Sequence, residues 1–88
     1  MNFFVDGYEV YVGKYNDIEI DFIAIKSNEK IYYQVSRSIL DENVEEREKK
    51  SLLAIKDNYP KVILTMDKVK GKEIDGIKVI NIIDFLLT

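Results

Sequence analysis

"IEIDFIAIKSNEKIYYQVSRS", from Ile18 to Ser38, is the stretch whose reading decides the fold. Ile18 to Lys26 alternates apolar and polar residues in its first half and is rich in β-branched side chains, as a strand requires. Strict alternation places Ile18, Ile20, Phe22 and Ala24 on one face, and Glu19, Asp21, Ile23 and Ile25 on the other. "SNEK" supplies turn residues. Ile31 to Arg37 then returns as a second arm, with Gln34 and Ser36 sharing a face. Two arms and a tight turn make a hairpin.

Upstream, "YEVYVGKY" (Tyr8 to Tyr15) reads as a strand, and Asn16 and Asp17 in "YNDIE" tolerate the left-handed geometry of a turn. The result is a three-stranded antiparallel meander. Downstream the period changes. In "DENVEEREKKSLLAIKDNYP", Asn43 with Glu46 suggests a capping box. Glu45–Lys49 and Glu46–Lys50 are i,i+4 pairs worth about 0.2–0.5 kcal/mol each. Leu52, Ile55 and Tyr59 form the apolar stripe with Leu53 and Ala54 at its margin, and Asn58 and Pro60 stop the helix. "KVILTM" is a continuous apolar run, the mark of a strand buried on both faces. Strand, helix and buried strand predict a right-handed crossover returning parallel to the third strand. Asp67 to Gly76 reads as a loop, "IKVINI" as a last strand and "IDFLLT" as a short helix. The expected order is β-β-β-α-β-β, a mixed-sheet α/β fold forming one domain over residues 1–88.

Composition narrows the chemistry. An 88-residue chain buries roughly 60–65% of its unfolded surface, enough for one modest core. There is no cysteine and no histidine, which excludes disulfides, thiolate metal sites and the usual neutral-pH acid–base group. Sixteen acids against thirteen bases give a net charge of −3, without the basic footprint of a phosphate-backbone binder. Nucleic acid is therefore a partner that charge does not indicate. "VGKY" and "KGKE" lack the spacing of a phosphate-binding loop, so the chain holds no ATP by that device. No apolar run has transmembrane length, and "MNFFVDGYEV" lacks the pattern of a signal peptide. A cytoplasmic protein is expected, with no membrane partner.

Asp21, Gln34 and Ser36 are the candidate site. If the hairpin brings Asp21 opposite Gln34, polar groups gather as in a metal-dependent nuclease, where an Asp and a Glu hold Mg²⁺ or Mn²⁺ and a lysine assists the attacking water. Asp21 and Glu19 are the candidate metal ligands. Gln34 is neutral where an acid is needed, however, and Ser36 is uncharged where a lysine is needed. Polar residues in strands are mostly just hydrogen-bonded, and that reading is favoured. No catalytic residue is assigned and no cofactor is required. Arg47 reads as a local ion-pair partner, and the six tyrosines as half-buried sheet residues.

Taken together, "GYEVYVGK", "EIDFIA", "YYQV", the "ERE" of the helix, "DNYPKVILTMD" and "INIIDFLL" resemble the C-terminal domain of unknown function that follows the ATPase module in many archaeal and bacterial AAA-type proteins. The similarity runs from Gly7 to Leu87. Such domains in turn resemble the restriction-endonuclease-like, PD-(D/E)XK, fold. The resemblance implies that Asp21 stands at the metal-binding acid, Gln34 at the second acid and Ser36 at the lysine, so the site is degenerate. It also implies an N-terminal helix carrying a further acid. Only "MNFFVD" stands there, a turn at most, which points to a fragment or remnant of a larger ATPase. The apolar surface left bare by that helix invites self-association. The function expected is a non-catalytic accessory domain that engages a protein partner or an ATPase module. The alternatives are a residual metal-dependent nuclease or a nucleic-acid-binding module.

Overall fold

A computed structural model describes residues 2–5, 7–15 and 18–87. One seven-stranded mixed sheet carries a helix on each face. The strands are β1 (Asn2–Val5), β2 (Tyr8–Tyr15), β3 (Ile18–Lys26), β4 (Glu29–Ser36), β5 (Lys61–Thr65), β6 (Lys72–Ile74) and β7 (Ile77–Asn81). Helix α1 (Glu42–Leu53) joins β4 to β5, and α2 (Ile82–Leu87) closes the chain. The sheet order is β1-β2-β3-β4-β5-β7-β6.

The meander and the crossover are both present. β2, β3 and β4 pair antiparallel, while β5 runs parallel to β4 and β7 parallel to β5. The sheet is wider than five strands because two hairpins extend its edges. At the start of the chain, Asn2–Val5 is a strand rather than a turn of helix, paired with β2 from Asn2↔Tyr11 to Val5↔Tyr8. Gly7, at φ +83°, makes the reversal tight. Within the span expected to be a loop, Lys72–Ile74 pairs with β7. Asp75 and Gly76, at φ +50° and +83°, form its two-residue turn. Positive φ at both central positions is the geometry that Asp-Gly favours between strands. The expected turn at Asn16 and Asp17 lies outside the described residues.

The helix also differs from its expected outline. Its N-cap is Asp41, whose carboxylate accepts the Asn43 and Val44 amides at 2.8 and 3.4 Å; Asn43 lies inside the helix. It ends at Leu53, so Ile55 is buried from beyond its last turn and Tyr59 stays exposed. Neither expected i,i+4 pair is the one formed. Lys49 Nζ instead reaches Glu46 at 2.8 Å and Asp75 at 3.1 Å, tying α1 to the β6–β7 turn.

The core lies between α1 and the sheet, where Leu52 and Ile55 meet Ile20, Ile23, Tyr32, Ile63 and Val79. Tyr32 is fully buried, and its hydroxyl donates to Asp57 Oδ2 at 2.6 Å. Lys61 Nζ holds the other Asp57 oxygen at 2.9 Å. Burial pushes the Asp57 carboxyl up. The donors Tyr32, Lys61 and the Tyr59 amide outweigh it and leave it below the usual carboxylate range. This joint gives the "DNYPK" segment a structural role: it fixes the entry of β5 beside β4. On the opposite face α2 covers β5 and β7, and Phe85 packs edge-on against Tyr33 with ring centres 5.5 Å apart.

Candidate functional site

The site is built around an irregularity in β3. Opposite β2, Val12 pairs with Phe22 and the next residue, Gly13, pairs with Ile20. Asp21 is the extra residue of a β-bulge, and a bulge breaks the alternation of side chains. Ile18 and Ile20 before it, and Ile23 and Ile25 after it, therefore all pack toward the same core. Strict alternation would have split those two pairs between opposite faces, so the face assignment expected for β3 is corrected here. Gly13 opposite the bulge has φ +128°, a conformation that side chains other than glycine rarely adopt.

Gln34 completes the bulge. The β3–β4 ladder reaches Phe22↔Tyr33, and beyond it the Gln34 side chain takes over. Its Oε1 accepts the Asp21 amide at 2.8 Å, and its Nε2 donates to the Glu19 carbonyl at 3.2 Å. The Asp21 carboxylate answers by accepting the Val35 amide at 2.8 Å. Gln34 is buried, at 5% exposure, and each of its polar atoms has a backbone partner, as buried amides require. Its oxygen is turned to an amide and not outward to a ligand.

The remaining candidates separate. Ser36 lies at the end of β4 on the same face as Gln34, and its hydroxyl donates to the Ser38 carbonyl at 2.9 Å. Glu19 sits between Ile18 and Ile20, both core-facing, and so points to the opposite face from them. Asp21 faces α1, where its charge acts on Glu48. The structure thus brings Asp21 to Gln34, leaves Ser36 near them, and parts Glu19 from Asp21, so the pair proposed as metal ligands is not assembled.

Glu48 is the residue that sequence reasoning did not single out. Burial pushes its carboxyl up, the Asp21 charge pushes it further, and Arg47, with Nε 3.7 Å away, pulls it partly back. Its place in the "ERE" of α1 was the available signal. Asp21 and Glu48 offer two carboxylates. Among the described residues no three His, Cys, Asp or Glu side chains gather where a metal ion could be held. With the Gln34 oxygen committed and Glu19 turned away, the residues do not fit the Mg²⁺ site that the resemblance implies.

Beside these residues, at the carboxyl ends of β4 and β5, a second polar knot closes the sheet. Asp67 Oδ2 accepts the Ile39 amide at 2.9 Å and the Thr65 hydroxyl at 3.0 Å. The Ile39 amide foremost, against the cost of burial and with help from Ser38, Thr65 and Lys72, holds this carboxyl below the usual range. Asn81 donates to the Asp67 carbonyl at 2.9 Å and accepts the Ile83 and Asp84 amides that open α2.

No family model matches the chain, and no solved structure matches it. It is similar to an uncharacterized protein of Haemophilus influenzae, 49% identical over 81 residues. The match covers 92% of this chain and 20% of that protein, so the chain spans about one fifth of its relative's length. Among the described residues no helix is long and apolar enough to cross a membrane.

Proposed function

We propose that this chain is a restriction-endonuclease-like domain of the kind appended to AAA-type ATPases, with a degenerate nuclease site, and that it acts through protein contacts rather than cleavage. The observation that carries the reading is Gln34. At the position where the resemblance expects a metal-holding acid stands an amide whose oxygen and nitrogen are both spent on the β3 backbone. A carboxylate there could accept from the Asp21 amide but could not donate to the Glu19 carbonyl. The residue is therefore chosen for holding the bulge. The resemblance expects a lysine at Ser36, and that hydroxyl is bonded to Ser38. Occurrence of a similar sequence as 20% of a longer polypeptide suits a domain that works beside others.

One observation favours a second reading, a residual metal-dependent nuclease. The Asp21 charge helps to raise the Glu48 carboxyl, so two acids lie within electrostatic reach of one another. Calorimetric titration of Mg²⁺ and Mn²⁺ into the wild type and Asp21→Ala separates the two readings, with cleavage assays on DNA and RNA alongside. The expected result is no saturable heat and no cleavage in either protein. Saturable binding and cleavage that Asp21→Ala abolishes would overturn the interaction-domain reading in favour of the nuclease.

A further inference from the structure

The two edges of the sheet are unlike. β6 is three residues long and carries Lys72 and Glu73, the short charged edge that resists pairing with another chain. β1 is "NFFV", four residues without a charge, and among the described residues only β2 pairs with it. Its hairpin closes at Val5↔Tyr8 across two intervening residues. Residues flanking such a turn exchange both of their backbone bonds, and the exchange recurs at every second pair. It therefore falls at Val5↔Tyr8 and Phe3↔Val10, and the N–H and C=O groups of Asn2 and Phe4 point out of the edge. Helix α1 packs over β3, β4 and β5. Tyr11 pairs with core-facing Ile23, and Phe4 pairs with Glu9, two residues from Tyr11. Alternation thus puts Tyr11 and Phe4 on the α1 face of the outer two strands, where they are 41% and 74% exposed.

We infer that β1 is an interface for a second copy of this chain, the two β1 strands pairing antiparallel about a two-fold axis between their Phe3 residues. Asn2 of one copy then lies opposite Phe4 of the other, and every outward backbone group of these two residues gains a partner. The register is self-complementary, as a two-fold contact requires. Charge permits it at this edge. A net −3 makes copies repel one another, but β1 brings no charge to the seam. The nearest acids in the ladder, Glu9 of each copy, stand four strands apart in the joined sheet, about 15 Å, beyond the Debye length. Pairing of β1 with β6 would instead set an uncharged strand against Lys72 and Glu73 and leave edges free to add further copies. The two-fold joins two seven-stranded sheets with both α1 helices on one face and Phe4 and Tyr11 of each copy between them. A contact this small is weak, with Kd on the order of 100 µM. It is independent of the chemistry of the bulge, so the metal titration bears on neither its success nor its failure.

The test is sedimentation of the full chain from about 10 µM to about 1 mM, with an isotope-filtered NOE experiment on a mixture of ¹³C,¹⁵N-labelled and unlabelled protein. The expected result is a monomer–dimer equilibrium and a contact between the Phe3 Hα protons of the two copies. Phe4→Lys sets two like charges about 8 Å apart across the seam and should weaken the dimer about tenfold or more. Phe4→Pro removes an outward donor and leaves the β1–β2 ladder intact, and it should weaken the dimer likewise. Lys72→Ala in β6 should change nothing. A monomer throughout the range overturns the inference, as does a dimer whose intermolecular contacts lie away from β1. Species that keep growing with concentration overturn it in favour of open-ended pairing between unlike edges. Equal affinity in both Phe4 variants overturns it too. The Phe3 contact is read on the wild type, so the inference is decided even if a variant fails to fold.

Discussion

Gln34 holds Asp21 by its backbone, with the Asp21 amide donating to Gln34 Oε1 at 2.8 Å, while the Asp21 carboxylate bonds the Val35 amide one residue beyond. The two residues form a closed exchange between β3 and β4 where the regular ladder is interrupted by the bulge. A neutral amide fits this exchange because it both donates and accepts.

Gln34→Glu is expected to destabilise the fold by about 2–3 kcal/mol at pH 7. It removes the donor to the Glu19 carbonyl and buries a charge near the Asp21 carboxylate. Denaturant unfolding at pH 7 and pH 4 checks this, and the deficit should shrink at the lower pH as the new carboxyl is protonated.

Glu48 should titrate above the ordinary Glu range, because burial first and the Asp21 charge second raise it. A raised acid favours the fold at pH below its unfolded value and loses that advantage as pH rises through its folded value. Glu48→Gln should therefore gain stability relative to wild type at neutral pH and show no gain at low pH. Carboxyl ¹³C titration of Asp21→Asn should move the Glu48 midpoint downward.

Asp57 and Asp67 carry the opposite sign. Both are held below the usual range by donors that outweigh burial. Each contributes stability that is complete above the unfolded Asp value, near 3.9, and is lost as pH falls through the lower folded value. Asp67→Asn should flatten the acid limb of the stability–pH curve. Tyr32→Phe, which strips the 2.6 Å bond from Asp57, should cost about 1–1.5 kcal/mol by denaturant unfolding at pH 7.

Gly13→Ala meets no atom within 4 Å of the added Cβ, so its cost is conformational. At φ +128° it should destabilise by about 1–2 kcal/mol, measurable as a lowered denaturant midpoint with unchanged slope.

The central architecture was legible in the chain. The alternating arms around "SNEK", the helical period of "ENVEEREKKSLL" and the apolar "KVIL" placed β3, β4, α1 and β5, because each pattern reports one local periodicity. β6 was missed although Asp75-Gly76 between Ile74 and Ile77 is a strong hairpin signal. Three residues are too few for alternation to register, and the flanking Gly71 reads as loop. Asn2–Val5 is a similar case, since "FFV" is equally compatible with helix or strand and is settled by pairing with β2. Asp21 and Gln34 were found as a pair, but their relation was not. A bulge leaves no mark in composition, and only the ladder on both sides reveals which residue is extra. Glu48 lay on a charged helix whose buried face cannot be known until the crossover is closed.

The bulge at Asp21 also acts as a frame shift in side-chain direction. Two isoleucines on each side of it reach the same core only because one residue is left out of the count. Removing Asp21 would leave a strictly alternating strand with Ile18, Ile20, Ile23 and Ile25 still on one face, whereas flattening the bulge with Asp21 kept in the ladder would turn Ile18 and Ile20 away from α1. Parity thus sets which length changes β3 tolerates, and at its native length only the irregular strand is in register with its core.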